Sequence, residues 1–138
     1  MESLKVKYNF NNKNNPKYVN GVMINSKHIK ELRLNKEKIQ SYKNLQHNWN
    51  MAGAIPFDEL FLNDVEVLLK KINIQPKIFP TGRNSIQFEY EKDNGDYLEF
   101  EIFDNKIFCL SIINSDEKTS EFNFDSEMVN NFLNDFYA

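Results

Sequence analysis

Two stretches constrain this chain more than any others. Ile86-Gln87-Phe88-Glu89-Tyr90-Glu91 and Tyr97-Leu98-Glu99-Phe100-Glu101-Ile102 both alternate apolar and polar residues, and Asp93-Asn94-Gly95 lies between them. Strict alternation is the pattern of a strand buried on one face, and an Asn-Gly pair between two such runs predicts a hairpin. A two-residue Asn94-Gly95 turn would set Tyr90 opposite Glu99 and Phe88 opposite Glu101, which mixes the faces. A three-residue loop, with Gly95 in the left-handed conformation and a bulge, pairs Tyr90 with Leu98, Phe88 with Phe100 and Ile86 with Ile102. One face is then apolar. The other carries Gln87, Glu89, Glu91, Tyr97, Glu99 and Glu101.

Around this hairpin the pattern predicts an α+β domain: N-terminal helices, a β-meander of about four antiparallel strands and a C-terminal helix. Ser26 or Asn35 could cap a first helix, whose apolar residues Ile39, Tyr42, Leu45 and Trp49 carry it from Asn35 to about residue 47. Gly53 and Pro56 break it. A second helix starts near Phe57-Asp58-Glu59, with a stripe of Leu60, Phe61, Val65, Leu68, Leu69 and Ile72, and Pro76 stops it. Pro80-Thr81-Gly82-Arg83-Asn84 reads as a turn before the first strong strand. A third strand, Ile107 to Ile113, is apolar at both parities, which predicts a central strand or one covered on both faces. A fourth follows near Thr119 to Phe124, then a helix from a cap at Asp125 or Ser126. Residues 1–27 read either as a short hairpin turning at Asn20-Gly21 or as an arm, with Leu4, Val6, Tyr8 and Phe10 alternating and a loop from Asn11 to Pro16.

A chain of 138 residues fits one domain, 1–138, and its 41% hydrophobic content supplies a core. The net charge of −3 gives no attraction to nucleic acid or anionic membrane, and no apolar run reaches the roughly 20 residues of a membrane span. Cys109 is the single cysteine, so no internal disulfide forms; with no leader pattern at the N-terminus, a cytoplasmic location is expected. Abundant Asn and Lys with only two arginines, Arg33 and Arg83, suggest an A/T-rich genome, bacterial or phage.

No constellation in the chain matches a known chemistry. His28 and His47 have no metal-ligand spacing, the glycines are scattered singly, and Cys109 has no histidine near it in the pattern, so neither a metal nor a cofactor is expected. The acidic sheet face is the feature with most to say. Glu89 opposite Glu99 costs a few tenths to about 1 kcal/mol. The face is read either as a solvated surface or as a docking surface for a basic partner. A catalytic carboxylate pair would need two environments that separate the two pKa values, which a flat wet face does not provide. Glu89, Glu91, Glu99, Glu101 and Tyr97 are the candidate partner-binding residues, with Trp49 as an anchor. Arg83, in the Pro80–Asn84 loop, is a candidate clamp for a carboxylate or phosphate. The basic segment Lys27 to Lys43 lacks the interleaved aromatics of a nucleic-acid platform.

Trp49-Asn50, Gly53-Ala54 and Pro56, Pro80-Thr81, Ile86-Gln87-Phe88-Glu89-Tyr90 and Leu98-Glu99-Phe100-Glu101-Ile102 occur in that order. They resemble a widespread group of small bacterial proteins of no assigned activity, with the pattern W-[DN]-G-Y-x-A-x-P, a helix, P-T, I-Q-[LF]-E-[WY] and L-E-[IF]-E-I. Met51 and Ala52 stand here where that group often has Gly and Tyr. The group looks like accessory genes carried on mobile elements, which implies an antitoxin, immunity or anti-defence role by analogy. The expectation is therefore a non-enzymatic inhibitor of a basic protein. The alternatives are a small-ligand binder or enzyme using the Pro80–Asn84 loop, and a homodimeric scaffold.

Overall fold

The computed structural model describes residues 26–138 and the backbone of the strands β1 (Lys17–Val19) and β2 (Val22–Ile24). The expected alternation from Leu4 to Phe10, the loop to Pro16 and the turn residues Asn20 and Gly21 lie outside the described residues. β1 and β2 pair antiparallel as a two-stranded sheet of their own.

The fold is α+β, as the patterning predicts. Helices α1 (Ser26–Tyr42) and α2 (Glu59–Lys71) come first. The strands β3 (Lys77–Pro80), β4 (Ile86–Glu91), β5 (Tyr97–Ile102), β6 (Lys106–Ile113) and β7 (Asp116–Asn123) then form one antiparallel meander in the order β3-β4-β5-β6-β7, and α3 (Ser126–Phe136) ends the chain. The β4–β5 register is the one the side-chain pattern demands: Ile86 faces Ile102, Phe88 faces Phe100 and Tyr90 faces Leu98. Lys92 and Asp96 close the three-residue loop through a 2.9 Å backbone bond, with Gly95 at φ +92°.

The sheet has five strands rather than four. The missed strand, β3, is bounded by Pro76 and contains Pro80, residues that read as breakers. It is an edge strand, where one side of the backbone has no ladder partner and proline is tolerated. Pro80–Asn84 is thus the bend of a second hairpin with the same design: Thr81 N–H donates to the Ser85 carbonyl at 3.0 Å and Asn84 takes φ +60°. Strand β7 starts at Asp116, earlier than Thr119.

Helix α1 starts at Ser26 and ends at Tyr42, so Asn35 is not its cap. Asn35 lies mid-helix, 5% exposed, and its Nδ2 donates to Gln75 Oε1 (3.1 Å) and to the Pro76 carbonyl (3.0 Å). Gln75 in turn donates to the Leu69 carbonyl at 2.7 Å. This buried amide pair ties α1 to the α2–β3 connection. Asp58 caps α2 through the Leu60 N–H, and Asp125 caps α3 through the Glu127 N–H, each worth about 1 kcal/mol. Leu60, assigned to the α2 stripe from the sequence, points to solvent.

Phe61, Leu62, Val65, Leu68 and Leu69 of α2 and Val129, Leu133 and Phe136 of α3 pack on Ile86, Phe88, Leu98, Phe100, Ile102 and Ile107 of the sheet. Asn73 N–H donates to Asn130 Oδ1 (2.8 Å) and Asn130 Nδ2 donates to the Lys71 carbonyl (3.0 Å), which clasps the end of α2 to α3. Strand β6 is central, but its second face is not covered among the described residues: Phe108 is 42% exposed there.

Candidate functional site

The uncovered face of the sheet is written by strand parity into three rows. Lys77, Glu89, Glu99, Leu110 and Thr119 form the first, in cross-strand register. Phe79, Gln87, Glu101, Phe108 and Glu121 form the second, and Glu91, Tyr97, Ile112 and Glu117 the third. The apolar residues of β6 therefore run as a stripe between acidic β4–β5 and acidic β7. Phe103 packs edge-on against Phe108 at 5.5 Å and extends the stripe.

Five of the expected site residues, Glu89, Glu91, Tyr97, Glu99 and Glu101, share this face, and all but Glu91 fall in two hydrogen-bonded groups, the second of which Arg83 joins from the β3–β4 bend. Tyr97 Oη lies 2.6 Å from Glu99 Oε1 and 2.9 Å from Glu89 Oε1, and Gln87 Nε2 donates to Glu99 Oε1 at 3.0 Å. A phenol has one proton, so it donates to one of the two carboxylates at a time. The hydroxyl between them relieves the cross-strand repulsion that the pattern implies. Arg83 Nε donates to Glu101 Oε2 at 2.8 Å, and the Ser85 hydroxyl donates to the same oxygen while touching Thr81 Oγ1. Glu101 is 16% exposed and Arg83 is 63% exposed. The Arg83 Nε expected to clamp a ligand is thus engaged by Glu101. Glu91 stands apart, exposed and without a partner among the described residues.

Trp49 is not on this face. It packs on Phe57 in the helical layer at 6.0 Å and donates its Nε1–H to the Ile55 carbonyl at 3.2 Å. It anchors the α1–α2 connection, where Asn48 Oδ1 accepts from Gly53 N–H (2.8 Å) and Asn50 Oδ1 accepts from Ala52 N–H (2.9 Å) and Ala54 N–H (3.0 Å). Met51 takes φ +62° and is 90% exposed at the tip of this loop. The connection also meets the β3–β4 bend: a Cβ at Gly82 would lie 2.5 Å from Asn50 Nδ2. A side chain there would displace the Asn50 amide, so two loops far apart in sequence meet at this corner.

Sequence reasoning missed Ser85, which parity alone places beside Gln87, Glu117, whose strand was started too late, and Glu121, which lay within the expected strand but was not assigned to the face. Among the described residues no group of three or more His, Cys, Asp or Glu could hold a metal, and no helix is long and apolar enough to cross a membrane.

Burial, reinforced by Glu99 and Glu89, pushes the Tyr97 phenol above its ordinary value of 10.0, and burial pushes Tyr90 well above it. Burial, with a smaller contribution from Glu99, pushes the Cys109 thiol from 9.0 up to about 12. As pH rises, the unfolded chain releases these protons first while the folded chain retains them. Their stabilising contribution is complete below the ordinary values and is lost above them. Melting temperature should therefore begin to fall above about pH 9, and Tyr97→Phe should flatten the fall. Thermal melts monitored by circular dichroism test this, and a midpoint that stays level to about pH 11 contradicts it.

The chain matches no family model, no curated protein and no solved structure.

Proposed function

We propose that the chain is a non-enzymatic interaction module that docks a basic protein on its open sheet face, as an antitoxin, immunity or anti-defence inhibitor would. One observation carries this reading. A five-stranded sheet leaves Phe108 exposed and Leu110 and Ile112 half-buried between rows of carboxylates, on a face uncovered among the described residues. A solvated face has no need of that stripe, whereas an interface combines an apolar centre with charged surroundings. Glu89, Glu91, Glu99, Glu101, Glu117 and Glu121 outnumber the cations Lys77, Arg83 and Lys106 on the face and its margins, which selects a basic partner and speeds encounter. The resemblance to accessory proteins of mobile elements points the same way.

The test is affinity capture from the chain's own host at low salt, run with the wild type and with Glu117→Lys/Glu121→Lys. A near-stoichiometric, Lys- and Arg-rich protein should be retained, released by moderate salt, and reduced about tenfold or more by the double variant. Capture that ignores both salt and the substitutions overturns the proposal.

A further inference from the structure

At one corner of the open face, α1 passes beside the β3 edge and leaves a cleft of about 330 Å³. Its lining brings together Glu31 of α1, Lys77 of β3, Glu89 and Glu91 of β4, Tyr97 of β5 and Tyr137 beyond α3. The aromatic walls are fixed. The Tyr90 hydroxyl, also in the wall, donates to the Ile74 carbonyl at 2.6 Å, and Tyr137 stands edge-on to Tyr90 at 6.4 Å and to Phe136 at 4.9 Å. Tyr97 is set by its bonds to Glu89 and Glu99. The charges are not spent in the same way. Lys77 faces Glu89 in register, which leaves Glu31 and Glu91, and neither has a side-chain partner among the described residues.

A hollow lined by three tyrosines and two unspent carboxylates is complementary to a planar cation. Aromatic faces attract cations, and carboxylates bond a guanidinium through its fork of N–H donors. A lysine ammonium gains the charge attraction but not the stacking or the fork. A neighbouring cation already lies near one of these rings: Lys92 Nζ is 5.7 Å from the Tyr137 ring centre, and 4.7 Å from that of Phe136 outside the cleft. We propose that this cleft is the anchoring subsite of the docking face and receives an arginine side chain of the basic partner, between Tyr97 and Tyr137 and against Glu31 and Glu91. The inference rests on the interaction reading given above and names the residue type that the partner must present.

The test uses small probes on the whole chain. N-acetyl-arginine amide is titrated into ¹⁵N-labelled protein, with the neutral isostere N-acetyl-citrulline amide and with N-acetyl-lysine amide alongside. Backbone signals of Glu91, Tyr97 and Tyr137 should shift and saturate with the arginine probe, respond several-fold more weakly to the lysine probe, and stay still with citrulline. Glu31→Gln/Glu91→Gln should weaken the arginine response about tenfold while the rest of the spectrum is unchanged. No saturating shift at these residues, an equal response to citrulline, or an undiminished response in the double variant overturns the site. The two readings fail separately. If the arginine probe does not bind but Glu117→Lys/Glu121→Lys still abolishes capture, the cleft is wrong and the docking face stands. If the probe binds and capture ignores the β7 substitutions, the docking face is wrong.

Discussion

Phe100→Ala should destabilise the folded chain by about 3–5 kcal/mol, the largest single-residue effect that the structure implies. Phe100 is 0% exposed on β5, the middle strand of five. Its ring meets Tyr90, Phe122 and Phe132 edge-on at 6.2, 6.4 and 6.1 Å, so one side chain joins the sheet, β7 and α3. Truncation removes transfer energy and leaves a cavity that β4 and β6, hydrogen-bonded on both sides, cannot close. The melting point should drop by roughly 10 °C or more for a domain of this size. Urea titration measures the free energy directly, and a loss under about 1 kcal/mol would mean that α3 does not seat on the sheet as described.

The second large effect falls on a polar residue. Asn35→Leu should cost about 2–3 kcal/mol, because it strands Gln75 Oε1 and the Pro76 carbonyl in a buried site between α1 and the start of β3. Gln75→Leu added to it should cost less than the sum of the two single changes, since the pair act as one network. Strict additivity in denaturant titrations would show instead that the two amides act independently.

Asn35 also marks where sequence reading stops. As a residue it looked like a helix cap, because Asn favours caps and the apolar spacing behind it is helical. Its partners lie at Gln75 and Pro76, and no local pattern points across that distance. Where the cue is local, the sequence was legible. The β4–β5 register followed from parity alone, because a slip of one residue sets Glu99 and Glu101 against the apolar residues Tyr90 and Phe88. Strand β3 was hidden by its prolines, which forbid a central strand but not an edge. The acidic face was legible as a row of glutamates, but its internal bonding was not: that Arg83 reaches Glu101, or that Tyr97 lies between Glu89 and Glu99, depends on side-chain directions. The stripe of Phe108, Leu110 and Ile112 was visible as composition; of the two readings it allowed, a central strand or one covered on both faces, the first holds and the second does not among the described residues. Apolar parity says what a face would bury, not what is there to bury it.

The order β3-β4-β5-β6-β7 carries a kinetic meaning. Every strand of the large sheet pairs with the one next to it in sequence, so no ladder waits for a distant segment to arrive. Loop-closure entropy is met in small instalments, beginning with the bends at Gly82–Asn84 and Asp93–Gly95. The long-range step is the meeting of α2 and α3 at the Asn73–Asn130 clasp, with the whole meander between them. Topology thus favours hairpins that form early and fast, and a helical layer that closes over them last.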